Sequence, residues 1–319
     1  MDIDRASDKE RYDMLAEMAD LYYNQGKTQS EIAKHFETNR FRVAKLLQDA
    51  RNEQIVEIHI NYSNERNSVL ESELKKKLSL QKAIVVNSQY TTYVDSLTQM
   101  GKVGAAYLTK VLKSGDVAGI TWGKTVYSVI SQLSTVVGNP VKVVQLTGNS
   151  RMKNPSIDTR ELVRHMAAAF YGEYYYLDMP IYVKNEAVRN GLLAEPLIRE
   201  TLDMAKDMDL IISGIGGKSS LPLKNPLLRP YLTKRDEEAA ESCIGSLYGF
   251  VLDKNGRVAD IDLNRKLVGA SLEDMMKTPH RLVVAYGRHK TEILQKTAMN
   301  GLFNELLTDS ETAIHLLEG

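Results

Sequence analysis

Four short segments combine glycine, hydroxyl side chains and basic residues in an order suited to holding an anion. Ile120 runs into Thr121-Trp122-Gly123-Lys124-Thr125, and Leu146 into Thr147-Gly148-Asn149-Ser150, with Arg151 and Lys153 just beyond. Ser213 runs into Gly214-Ile215-Gly216-Gly217-Lys218-Ser219-Ser220, and Ala285 into Tyr286-Gly287-Arg288-His289-Lys290. Glycine lets backbone N–H groups approach an anion, hydroxyls donate, and a helix that starts after the loop adds positive potential. One such loop is common for turn reasons alone. Four together point to a phosphorylated ligand.

Other chemistries find less support. Gly119-x-x-x-Gly123-Lys124-Thr125 has three residues between its glycines where a nucleotide-binding P-loop needs four. The six histidines are scattered, and a single cysteine gives no metal-ligand spacing. No Gly-x-Ser-x-Gly elbow is present. Asp178 and Glu195 are the carboxylates that could serve as an acid/base pair in a rival reading, a sugar-phosphate isomerase or hydrolase with an N-terminal interaction module. Trp122 could stack on a ligand or fill a core.

A second chemistry lies near the N-terminus. From Lys34 to Arg51 five basic residues face two acidic ones, although the first sixty residues carry nine basic and twelve acidic. Val43, Leu46, Leu47 and Ala50 fall at helical spacing, which turns Arg42, Lys45 and Gln48 outward. Thr28-Gln29-Ser30-Glu31 reads as a capping box that opens a short preceding helix. Leu15, Met18, Ala19 and Tyr22 form the buried stripe of a helix before it. Two short helices joined by a tight polar turn, the second with a cationic outer face, predict a helix-turn-helix. Arg40 and Arg42 are expected at base edges or phosphates, Asn39 at an adenine edge, and Lys45 and Arg51 at the backbone. Thr28 and Gln29 complete the expected DNA-facing set. Val56, Ile58 and Ile60 alternate with polar residues, as the strand of a small wing would. One small module binds DNA weakly, so a dimer or larger assembly is expected.

The four anion loops need a scaffold. After a charged helical stretch at Glu65–Leu80, β-branched runs at 83–86, 116–120, 141–147, 174–177, 209–213, 247–252 and 281–285 alternate with helical patterns near 93–112, 124–136, 157–171, 196–206 and 289–300. That alternation predicts an α/β domain with a mostly parallel sheet covered on both faces, and ligands bind such sheets at the carboxyl ends of the strands.

Composition is compatible with both parts. The 319 residues carry 41 basic and 41 acidic side chains, which excludes a wholly basic nucleic-acid binder but leaves a local basic surface open. Cys243 has no partner for an internal disulfide, the first ten residues lack the apolar core of a signal peptide, and no apolar run approaches the roughly 18 residues of a membrane helix. A cytoplasmic protein is expected.

The chain also resembles a known family over nearly its whole length. The similarity rests on Leu21-Tyr22-Tyr23, Thr28-Gln29-Ser30-Glu31-Ile32-Ala33, and the run from Val43 to Arg51. It continues through Gly115-Asp116-Val117 with Thr121-Trp122-Gly123, Val143-Val144-Gln145-Leu146, and the run from Asp209 to Gly216. The stretch from Lys290 to Leu317, with Leu307-Thr308-Asp309-Ser310-Glu311-Thr312-Ala313, is the most specific. In their order and spacing these resemble the SorC family of bacterial sugar-responsive transcriptional regulators. The resemblance implies a winged helix-turn-helix over residues 1–60. Over 61–319 it implies a Rossmann-like effector-binding and oligomerisation domain similar to sugar-phosphate isomerases. It implies operator DNA and a phosphorylated sugar or polyol as partners, usually in tetramers; no enzymatic activity, metal or cofactor is expected. By it, Thr121, Gly123, Lys124, Thr125, Thr147, Gly148, Gly214, Gly216 and Lys290 line the effector pocket, joined by Trp122 and Asn149 from the same loops. Asp253 resembles an acidic position nearby. Gly245, Ser246 and Phe250 stand where the family has Gly-Asp and, four residues on, Arg, so the pocket chemistry is altered. Asn149 and Tyr286 stand where glycine is frequent, and Ala44 replaces a serine.

Overall fold

The computed structural model describes residues 8–53, 55–56, 66–87, 92–150 and 154–319. The chain divides into two compact units, Met1–Ser63 and Asn64–Gly319.

Among its described residues the first unit holds three helices, α1 (Asp8–Tyr23), α2 (Gln29–His35) and α3 (Arg40–Asn52). Their apolar stripes meet in one core that contains Leu15, Met18, Ile32, Val43, Leu46 and Leu47. Gly26, at φ +68°, lets the chain leave α1 through the left-handed region that glycine occupies freely. The capping box forms: Thr28 Oγ1 donates to Glu31 Oε2 at 2.7 Å and accepts from the Glu31 amide. Val56 is not in a strand and packs on this core, and the rest of the expected wing strand, including Ile58 and Ile60, lies outside the described residues.

Among its described residues the second unit has nine strands: β1 (Lys82–Val86), β2 (Val117–Ile120), β3 (Lys142–Gln145), β4 (Glu173–Tyr175), β5 (Leu210–Gly217), β6 (Cys243–Leu247), β7 (Phe250–Asp253), β8 (His280–Val284) and β9 (Glu305–Asp309). Seven pair in parallel in the order β1-β9-β8-β5-β2-β3-β4. Along the central strands alternate residues enter two cores. Leu210, Ile212, Leu282 and Val284 face one, and Ile211 and Val283 face the other. Burial on both faces is why these strands read as nearly unbroken apolar runs.

One face is covered by α5 (Tyr93–Val111), α6 (Lys124–Ile130) and α7 (Thr159–Ala169). Beneath the other lie side chains of α4 (Ser68–Lys77), α12 (Leu272–Lys277), α13 (Thr291–Met299) and α14 (Ser310–Glu318). The remaining short helices are α8 (Glu186–Ala194), α9 (Pro196–Met204), α10 (Lys234–Ala239) and α11 (Asp262–Lys266).

Three expectations change. The apolar run at 247–252 is the tip of an antiparallel hairpin, because Tyr248 and Gly249 both take positive φ and reverse the chain between β6 and β7. That hairpin pairs with the far end of β5, with Gly216 opposite Ser246. The helix expected over 124–136 stops at Ile130. Strand β9 and the helices α8, α10, α11, α12 and α14 have no counterpart in the expected series.

Candidate functional site

A cavity of about 670 Å³ opens at the carboxyl ends of β2, β5 and β8. Strand order turns back here: from β2 the chain steps to β3 and β4 on one side, then returns through β5 to β8 and β9 on the other. Such a switch point leaves a crevice, since the connections leave adjacent strands in opposite directions. The Thr121 amide donates to Ile212 O at 3.2 Å, and its hydroxyl donates to Ser213 Oγ at 2.8 Å. Thr125 Oγ1 donates to Val284 O at 2.7 Å and pins the start of α6 to β8. Gly123, at φ +130°, makes the turn between β2 and α6 in a conformation that a side chain disfavours. A Cβ on Gly216 would lie 2.9 Å from the hydroxyls of both Ser220 and Ser246, so glycine keeps that wall close to the hairpin.

The electrostatics are one-sided. Lys290, Lys124 and His289 line the cavity, and no Asp or Glu among the described residues does. Desolvation, with no carboxylate contributing, pushes the Lys290 ammonium below the ordinary lysine range. A half-buried cation without a counter-ion is costly until an anion arrives. Ser150 adds a buried Oγ with no hydrogen-bond partner among the described residues.

Of the sequence-derived pocket residues, Thr121, Trp122, Gly123, Lys124, Thr125, Asn149, Gly214, Gly216 and Lys290 meet in this cavity. Thr147, Gly148 and Asp253 do not line it. Thr147 is fully buried and bridges to Gly269. Gly148 packs so close to the neighbouring loop that a Cβ would lie 2.5 Å from Pro180 O. Asp253 Oδ1 accepts from the amides of Asn255 and Arg257 at 2.9 and 3.0 Å and holds the turn after β7. Ser246 lines the cavity, whereas Phe250 faces a separate cleft of about 380 Å³ beside Arg189 and Arg199, so only Ser246 alters this pocket. Arg151 and Lys153 lie outside the described residues. The would-be acid/base pair is absent from the cavity: exposed Asp178 is bound to Arg160 at 2.7 Å, and Glu195 precedes α9. Tyr182, Leu227, Leu228 and Tyr231 also line the cavity, and the last three lie in the 218–231 stretch, which has no periodicity to single them out in the sequence.

In the first unit, α3 presents Arg40, Phe41 and Lys45 outward. The Arg40 guanidinium sits 4.8 Å above the Phe41 ring, and Phe41 is 73% exposed, an unusual position for an aromatic. Several expected DNA contacts already have structural duties. Asn39 Oδ1 caps α3 by accepting from the Arg42 amide at 2.9 Å, which ties this side chain to the start of the helix. Arg51 Nε donates to Tyr23 OH at 2.8 Å. Thr28 is committed to the capping box, and Gln29 is half-buried.

Among the described residues, no helix is long and apolar enough to cross a membrane. Residues 62–318 match the family described as "Putative sugar-binding domain". The sorbitol operon regulator of Klebsiella pneumoniae is 26% identical over 311 residues, 96% of this chain and 98% of that one. The deoxyribonucleoside regulator of Bacillus subtilis is 26% identical over 308 residues, 96% of this chain and 97% of that one. The crystal structure of full-length SorC from Klebsiella pneumoniae matches with a TM-score of 0.73 at 27% identity, covering 98% of this chain and all of that one. These relatives are named as regulators, SorC as the regulator of an operon. The chain belongs to the sugar-binding domain family of SorC-type transcriptional regulators.

Proposed function

We propose that this chain is a cytoplasmic DNA-binding regulator of a carbohydrate operon, controlled by a phosphorylated sugar or polyol bound among Thr121, Gly214, Gly216 and Lys290. The observation that carries the reading is Lys290, a desolvated ammonium facing a cavity with no carboxylate among the described residues. The outward basic face of α3 supports operator binding, with residues 1–60 as the DNA-binding part and 61–319 as the effector-binding and oligomerising part. A homo-oligomer, a tetramer by family likeness, would pair the recognition helices. Effector binding then shifts an equilibrium between arrangements of the oligomer and so changes DNA affinity, by a coupling of about 1–3 kcal/mol.

Thermal melts against a panel of pentose, hexose and polyol phosphates test this. A ligand at about 100 times its Kd stabilises by roughly 2.7 kcal/mol. One phosphorylated compound should raise the melt and be recovered unchanged, and Lys290→Met should abolish the shift. Turnover of the compound, or a shift that survives in Lys290→Met, would overturn the reading.

A further inference from the structure

The cavity has two chemically different parts. The ends of the parallel strands supply the cationic part around Lys290. The remaining wall comes from outside the parallel sheet and includes Tyr182, Leu227, Leu228 and Tyr231. Tyr182 belongs to a separate core cluster, on which Trp122, Leu228 and Tyr231 also pack, so these side chains form a fixed surface. Two cavity tyrosines are already satisfied at their polar ends. Tyr182 OH donates to Gly249 O at 3.2 Å, and Tyr248 OH donates to Leu302 O at 3.1 Å. Both therefore offer carbon surface rather than a free hydroxyl to a ligand. Asn149 Oδ1 accepts from Gln145 Nε2 at 2.9 Å, and no carboxylate among the described residues is present to accept from sugar hydroxyls. A bare sugar or polyol phosphate could bond Ser150, Ser220, Ser246 and Asn225 of the lining but would leave the surface of Trp122, Leu227, Leu228 and Tyr231 uncovered.

We propose that the ligand is a phosphate ester whose other end carries a flat aromatic ring, as a phosphorylated aryl glycoside or a nucleoside monophosphate does. The phosphate sits toward Lys290 and the ring lies against Trp122, Leu228 and Tyr231. The ligand class rests on the phosphate reading above and adds the ring. Stacking and burial of a planar group suit this wall, and the cavity lies within the range of about 300–1,000 Å³ that holds ligands larger than a single sugar.

Trp122 is the only tryptophan, so its emission reports on the cavity. The full-length protein is titrated with phenyl β-glucoside 6-phosphate, adenosine 5′-monophosphate, glucose 6-phosphate and inorganic phosphate, and thermal shifts are read in parallel. At least one ring-bearing ester should bind about tenfold or more tightly than glucose 6-phosphate and change Trp122 emission. Which of the two does so identifies the source of the ring. Leu227 is 54% exposed, so Leu227→Asn leaves the fold intact and should shrink that tenfold ratio toward one. If glucose 6-phosphate binds as tightly as both ring-bearing esters, the ring is wrong and the phosphate site stands. If neither any ester nor inorganic phosphate binds, both readings fall.

Discussion

Thr121 and Ser213 join the carboxyl ends of β2 and β5 through a 2.8 Å hydroxyl–hydroxyl bond where the strand order turns back. Ser213 Oγ in turn donates to Gly214 O at 2.9 Å. Both side chains are buried, and the relay commits their protons within the protein rather than to a ligand. The crevice expected at a switch point thus has a fixed width at its floor.

Breaking this bond on one side should cost more than removing it whole. Ser213→Ala strands the buried Thr121 hydroxyl and should destabilise by about 1–3 kcal/mol in urea denaturation. Adding Thr121→Val should cost less than the sum of the two single changes, because partners in contact are coupled. Strict additivity would show that the two hydroxyls do not depend on each other.

The hairpin depends on a residue too small to replace. A Cβ on Gly245 would lie 2.0 Å from Gly216 O, so Gly245→Ala must push β6 off β5. We expect a loss of about 1–3 kcal/mol, as overpacking typically costs, together with a weakened ligand shift, since Ser246 and Tyr248 ride on this hairpin. Gly191, inside α8 with nothing within 4 Å of its added Cβ, is the contrast. Gly191→Ala should be neutral or stabilising by about 0.5–1 kcal/mol. A calorimetric melt that ranks the two variants the other way would contradict the close contact.

Lys290 gives a pH signature. Folding removes its ammonium from water, so the native chain binds that proton less tightly than the unfolded chain, whose lysine titrates near 10.5. Between the depressed native value and 10.5 the unfolded state holds more protons, and stability rises with pH. Below that window the charged side chain is a standing penalty. An anion favours the charged form, so ligand affinity should fall as pH rises through the depressed value. Lys290→Met should therefore melt above the wild type at neutral pH without ligand, yet show no ligand shift. A lower melting temperature would mean that the ammonium is already compensated.

On α3, Arg40→Ala and Lys45→Ala should each reduce the salt slope of DNA binding by about 1 and leave the melt unchanged. Phe41→Ala should act differently, by relaxing preference at one A·T position while keeping the slope, because an exposed aromatic can contact a thymine methyl. Selection from a randomised duplex pool at two salt concentrations separates these effects.

Much of this was legible locally. The helix-turn-helix core follows from Leu15, Met18, Val43 and Leu46 at helical spacing, and the Thr28–Glu31 capping box forms as read. The ends of β2, β5 and β8 were legible because glycine and hydroxyl residues follow abrupt β-branched runs. What escaped depends on distant partners. Strand β9 begins and ends in acidic residues, and Glu305 is buried only because Tyr107 OH donates to it at 2.7 Å and His280 Nδ1 lies 2.7 Å away. The turn at Tyr248-Gly249 lacks the usual Asn-Gly or Asp-Gly pair, so an apolar run conceals a reversal. Asp253 has the right residue type near the right place, but its carboxylate serves its own turn.

Occupation of the Lys290 cavity should change the hold of α3 on DNA. The most direct test is an anisotropy titration of a duplex selected by the full-length protein from a random pool, with and without the compound that raises the melt. Linkage requires the compound to change DNA affinity by the same factor by which DNA changes affinity for the compound, about 5–150-fold for a coupling of 1–3 kcal/mol. Equal DNA affinity at saturating compound would show that the cavity and α3 are not linked, whatever the cavity binds.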